Sequence, residues 1–379
     1  MRSSASARSP SCCSAGPVRC SPAGAARTPT ASSPAGQGPQ GSAPGTGQRA
    51  DRAEGGRHVG RYALRRAGTA AGTAVFVLVV NFFLFRLLPG DPIGLITRGR
   101  NMDADQIRAL RAQLNKPVWQ QFLDYATNPF STGVDSVKYS RPVWGLIGER
   151  VGPTLLLVGT ATVIATAVGL WIGIRAGWRP GQGFDRGSTA VTLLLYAMPE
   201  FWLGMLLLIA FGTGIGPLPA LFPIGGISTP GVDTSTPAGW LDVARHLVLP
   251  ATTIVLGYVA EYSLIMRASL VDEVHADYVT TARAKGLKDV EVRRRHALRN
   301  AMLPTSSLVL LNIGFVVSGA ITVETVFSWP GLGLLTYDAL RGPDIPLLQA
   351  LFLLFSLSVI AVNLVADLLY GVIDPRVRT

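Results

Sequence analysis

Six long apolar runs leave this chain few ways to fold. They span residues 67–88, 154–174, 188–211, 247–266, 305–327 and 347–373. Each is about 20 residues or longer, enough at a helical rise to cross a ~30 Å hydrocarbon core. Lipid offers no partner for a bare backbone amide, so such runs must be helices that close their own hydrogen bonds. The chain is therefore read as an all-α membrane protein with six transmembrane helices. Only 15% of its residues are charged, against about 25% in soluble domains, and its mean hydropathy is +0.35.

The polar parts are unevenly placed. Residues 1–60 hold 17 Pro or Gly and no acid before Asp51. A stretch so poor in apolar side chains cannot bury a core, so it is expected to be a disordered tail ahead of a six-helix transmembrane domain at 61–379. The three cysteines, Cys12, Cys13 and Cys20, all lie in that tail. The membrane part thus needs no disulfide and carries no cysteine-based metal site.

The net charge of +11 is placed in tails and links beside the apolar runs. There it sets orientation in the lipid bilayer and does not point to nucleic acid. The link 175–187 holds Arg175, Arg179 and Arg186, and the link after the fourth run holds eight Lys or Arg between Arg267 and Arg299. By contrast, residues 212–246 hold only Arg245 and residues 328–346 only Arg341. The positive-inside rule therefore puts both termini in the cytoplasm of a multi-pass plasma (inner) membrane protein, with the basic link 267–304 there too. The long loop 89–150 falls outside. In it Ile107, Leu110 and Leu114 share a face of a short amphipathic helix with Asp103 as cap and Pro117 as stop. Gly169, Gly173 and Gly177, four residues apart in the second run, would let two helices approach closely.

The basic link reads YVTTARAKGLKDVEVRRRHALRNAMLP over residues 278–304. Two helical pieces are expected around Gly286, at 274–285 and 289–302. Asp289 is a candidate cap, Glu291 and Arg295 an i,i+4 pair, and Val290, Ala297, Leu298 and Ala301 the apolar stripe of the second piece. Three uses compete for such a block: lying on anionic lipid, entering a DNA groove, or passing force from a soluble motor into the spans. A block held between two spans is poorly placed for the second.

The stretch DYVTTARAKGLKDVEVRRRHALRNAMLP closely resembles the EAA coupling loop of ABC importer permeases, in the form used by the dipeptide, oligopeptide and nickel permease family. Five further stretches resemble that family in the same order: FRLLPGDP at 85–92, RPVWGLIGERVGPTLLL at 141–157, PEFWLGMLLL at 199–208, VETVFSWPGLGLL at 323–335 and NLVADLLYGVIDPRVR at 363–378. Thr280 and Thr281 depart from the generic Glu and Ala of the loop. The resemblance implies the type I importer permease fold and a coupling helix seated in a cytoplasmic ATPase. It also implies the partners: a second homologous permease subunit, two cytoplasmic ATP-binding subunits and an extracytoplasmic solute-binding protein. Carried onto this sequence, the ATPase-coupling residues are Tyr278, Ala282, Arg283, Ala284, Lys285 and Gly286. Ala282 and Ala284 would allow close approach, Gly286 the bend, and Arg283 and Lys285 polar contacts. Cargo would be dipeptides, oligopeptides or related solutes such as nickel chelates.

The chain has no Walker A pattern and no HExxH. Hydrolysis is therefore expected elsewhere, with ATP bound by the partner subunits and no cofactor or metal in this chain. Four acids interrupt the runs: Glu200, Glu261, Glu324 and Asp367. A carboxylate at the centre of a span costs about 2.5–3.5 kcal/mol on insertion scales, so each should face protein or water. Glu324 and Asp367 lie near span ends and are read as structural. Glu200, after Pro199, and Glu261 are candidate pathway residues for an amino group or cation. They also support the rival reading, an ion-gradient-coupled secondary transporter.

Overall fold

In the computed structural model the described residues are 47–86, 108, 116–130, 135–214, 219–316 and 320–373. The chain divides into two units, residues 1–52 and 53–379, and the second holds the fold described below. Most of the expected tail, the amphipathic helix at 103–117 apart from Arg108, Lys116 and Pro117, and the end of the chain lie outside the described residues.

Every named element is helical, and the lone β-bridge among the described residues joins Asp135 to Pro142. The helices are α1 (Gly47–Arg86), α2 (Val118–Thr127), α3 (Val143–Trp178), α4 (Gly183–Ala197), α5 (Glu200–Leu207), α6 (Pro237–Val274), α7 (Asp277–Ala284), α8 (Leu298–Val316), α9 (Ile321–Val326), α10 (Leu332–Arg341) and α11 (Ile345–Ile373). Helix α1 begins inside the stretch read as tail. Pro117 is the N-cap of α2, while the helix it is expected to stop falls largely outside the described residues. A ring-fixed φ suits a helix entrance as well as an exit.

Four described helices are long and apolar enough to span a bilayer: the Arg61–Arg86 part of α1, then α3, α6 and the Ile345–Leu368 part of α11. The third expected run is not one rod. Helix α4 and the Glu200–Thr213 segment meet at a bend of 102°. The cause is local. Met198 precedes proline and is extended (φ −85°, ψ 129°), and Pro199 then caps the new helix. Counting that bent pair as one span gives five. The fifth expected run is divided between α8 and α9. Helix α8, which opens on Leu298, Arg299 and Asn300, is not among the four.

Helices α3 and α6 form the spine. A Cβ added at Gly169 would lie 2.8 Å from the Tyr262 Cβ, one at Gly173 2.6 Å from the Met266 Cβ, and one at Gly177 2.8 Å from the Arg267 carbonyl oxygen. The glycine stripe of α3 thus lets the backbone of α6 sit against it over two turns, and Tyr262, Met266 and Leu270 are fully buried there. Helix α1 runs antiparallel to α11. Arg66 pairs with Asp367 at 3.1 Å near one end, and the Asn81 amide donates to the Gln349 carbonyl at 3.0 Å near the other.

Candidate functional site

The basic link forms a hooked lever on the end of the spine. Helix α6 stops at Val274, and Ala276, in an extended conformation, starts α7. Helix α7 ends in a Schellman turn. The Gly286 N–H donates to the Arg283 carbonyl at 2.9 Å and the Leu287 N–H to the Ala282 carbonyl at 3.4 Å. Gly286 supplies the positive φ, +78°, that this turn requires. The chain then re-enters helix at Asp289–Glu291.

Beneath the hook lies an apolar hub. Trp178 from α3, Met266 and Leu270 from α6, Val279 and Ala282 from α7, and Val292, Ala297 and Ala301 beyond the turn are packed together. The expected stripe differs at one place. Val290 points outward and Val292 takes the buried position. Residues Val292–Ala297 wind as a π-helix, so the inward positions are five apart at 292 and 297 before the four-residue spacing to Ala301 resumes. A period of 3.6 could not find Val292. The Glu291–Arg295 pair does form, at 2.7 Å. Asp289 is not the cap, a position held by Lys288.

Two polar locks fix the hub. The Trp178 indole N–H donates to the Asp289 carboxylate at 2.9 Å. The Arg283 guanidinium lies 5.4 Å from the Trp178 ring centre and 3.6 Å from Asp289. The second lock is Asp185, at the start of α4 and 3% exposed. It accepts from Arg267 Nε at 2.5 Å and Nη2 at 2.9 Å, and from the Gly181 N–H at 2.7 Å. Together these tie the lever to both ends of the 175–187 link.

The six expected coupling residues separate into two groups. Tyr278, Arg283, Ala284, Lys285 and Gly286 are exposed, whereas Ala282 turns into the hub. Tyr278 also binds within the chain. Its hydroxyl donates to Glu273 and accepts from the Asn300 amide at 3.1 Å, joining the end of α6 to the start of α8. Burial, then the Glu273 hydrogen bond, push that hydroxyl above its usual pKa.

The four intramembrane acids also divide. Glu324 is fully buried. It accepts from the Thr154 hydroxyl at 2.9 Å and the Leu334 N–H at 3.0 Å, clamping the turn between α9 and α10 onto α3. Asp367 pairs with Arg66. Both are structural, as expected from their places. Glu200 opens α5 with its carboxylate facing Gly257 of α6, where a Cβ would lie 3.3 Å from Oε1. Glu261 accepts from the Asn312 amide at 3.3 Å. Neither has a basic partner in the ion pairs of the described residues, and both are half-buried on or beside α6.

Two family profiles match the sequence. One, the binding-protein-dependent transport system inner membrane component, covers residues 169–379. The other, the N-terminal part of such a membrane component, covers residues 59–155. The chain belongs to this family. The permease is similar to a dipeptide transport system permease of Escherichia coli K12, 36% identical over 84% of the chain and 98% of that relative. It is similar to a di/tripeptide transport system permease of Pseudomonas aeruginosa UCBPP-PA14, 37% identical over 83% and 97%. An oligopeptide transport system permease of Bacillus subtilis 168 is 32% identical over 84% and 99%. The permease is thus a multi-pass membrane component of a transport system.

Reading the sequence missed Trp178 and Asp185. Trp178 lies in the 175–187 link between Arg175 and Arg179, where nothing marked it off from a tryptophan at the membrane interface. Asp185 did carry a signal, as the one acid in an arginine-rich link.

Proposed function

We propose that this permease forms half of the translocation pathway of an ATP-driven importer for peptides and couples it to cytoplasmic ATPase subunits through α7 and the Gly286 turn. In this reading both termini are cytoplasmic. A second homologous permease subunit completes the pathway, two ATP-binding subunits hold the ATP, and an extracytoplasmic solute-binding protein delivers cargo. The observation that carries the reading is the build of the lever. One face of α7 is anchored through Val279 and Ala282 in a hub continuous with the α3–α6 spine, and the other offers Arg283, Ala284 and Lys285 to a partner. A push on the exposed face is passed to two long helices with little slack. The names of the relatives favour peptides over nickel chelates as cargo.

A cysteine placed at Ala284, with Cys12, Cys13 and Cys20 changed to serine, should cross-link to an ATPase subunit in a nucleotide-dependent way, while one placed at the buried Val279 should not. Equal cross-linking at both, or none at Ala284, would remove the assignment. Uptake into vesicles should need ATP and the binding protein. Uptake driven by an ion gradient alone would favour the secondary-transporter reading instead. Glu200 and Glu261 are proposed to face the peptide amino group in the pathway, since both carboxylates lack a basic partner in those ion pairs. Glu200→Gln should then raise the KM for dipeptide, and an unchanged KM would count against it.

A further inference from the structure

A cavity of about 300 Å³ lies between the 175–187 link and the segment after Gly286. Its charged lining is Arg175, Arg179, Arg293, Asp185 and Asp289, with Trp178 and Phe184 as aromatic walls. The two acids are already engaged by groups outside the lining, Asp185 by Arg267 and Asp289 by Arg283. The three arginines have no carboxylate partner among the ion pairs of the described residues. Arg175 lies over the Phe184 ring at 5.0 Å and the Trp171 ring at 6.0 Å, and Arg293 over Trp178 at 6.0 Å. The wall therefore keeps a surplus of about three positive charges that no side chain neutralises.

Two exposed apolar stripes run to the mouth of this cavity. On α3 they are Ile164, Val168 and Trp171, spaced so that Arg175 follows on the same face one turn on. On α4 they are Leu194, Val191 and Phe184. The surface changes from acyl-compatible to guanidinium-lined within one turn. A soluble anion would need the charges but not the stripes, and a cytoplasmic protein would meet the charges at the wrong end of an apolar face. An anionic phospholipid fits both. Its chains would cover the stripes and its phosphate would take the arginines, as in basic pockets between spans at the cytoplasmic side.

We propose that this cavity is a binding site for the phosphate of an anionic phospholipid of the cytoplasmic leaflet, which bridges the 175–187 link to the coupling lever through Arg175, Arg179 and Arg293. The site goes beyond the transport assignment and does not depend on the cargo.

The test is native mass spectrometry of the intact permease with its partner subunits, in micelles titrated with phosphatidylglycerol or phosphatidylcholine. The Arg175→Gln/Arg179→Gln/Arg293→Gln variant should bind phosphatidylglycerol about a hundredfold more weakly than wild type. Phosphatidylcholine binding should not change, and millimolar inorganic phosphate should not displace the lipid. If the triple variant does not fold, Arg175→Gln alone, on an exposed side chain, should weaken binding about fivefold. Equal phosphatidylglycerol binding by wild type and variant overturns the proposal. So does displacement by free phosphate, which would make this an anion site. Loss of ATPase subunits with lipid binding intact would make it a protein contact and overturn it equally.

Discussion

Gly286 offers the cleanest perturbation of the lever, because the cost of changing it can be worked out from the backbone alone. A Cβ there would meet nothing within 4 Å, so the first added carbon does not clash. What remains is φ, held at +78°. Alanine in that region costs roughly 1–2 kcal/mol, and asparagine less, since its short amide is tolerated there. Proline cannot reach a positive φ and lacks the N–H that donates to Arg283, so its cost is about 3 kcal/mol or more. Helix α7 is short and half exposed, so this strain is relieved by opening the turn and leaves the spans intact. The expected result is a graded loss of ATP-driven peptide uptake in proteoliposomes, in the order Gly, Asn, Ala, Pro. Membrane insertion and the main thermal transition should be preserved in all four. Wild-type coupling in Gly286→Pro would refute the reasoning, and so would alanine outperforming asparagine.

Three stability predictions follow from the packing. Arg267→Gln should cost about 3 kcal/mol in thermal unfolding, because it strands a carboxylate that is 3% exposed. Adding Asp185→Asn should restore part of that loss. Gly173→Ala should destabilise by about 1–3 kcal/mol, since its Cβ would sit 2.6 Å from that of Met266. Gly159→Ala, with open space around it, should be neutral or slightly stabilising in the same melt. Glu324→Ala should cost about 2 kcal/mol by leaving the Thr154 hydroxyl and the Leu334 N–H without their acceptor, while Glu324→Gln should keep most of the stability.

The sequence carried the helical class, the positions of four spans and the close pairing of α3 through Gly169, Gly173 and Gly177. These rest on composition and on spacing within one segment, both visible in a linear string. It also carried the turn at Gly286, where one residue type meets one backbone requirement. It did not carry the 102° bend at Met198, since proline announces a break but not its angle. Nor did it carry the inward turn of Ala282. An alanine in an Ala-rich, Arg-rich helix is silent about which face is buried until Trp178 and Met266, distant in sequence, are placed against it. The candidate coupling set was therefore found as a contiguous block, and only the packing divides it into an anchored face and an offered one.

The π-turn at Val292–Ala297 has a consequence for length as well as for shape. Five-residue bonding, such as the Leu298 N–H to the Arg293 carbonyl, stores one residue more than an α-helix would use over the same path. Deleting one residue there would let the helix close into ordinary α-helix. Because that α-helix follows the same path with one residue fewer, the segment between the deletion and Gly286 would keep its orientation to α8, whereas closing into α-helix without the deletion would rotate it by about 100° and shift it by about 1.5 Å. The stretch should therefore accept many point substitutions on its exposed arginines and one deletion within the π-turn, but not a second deletion. Its length, more than its chemistry, sets the angle at which the lever leaves the membrane.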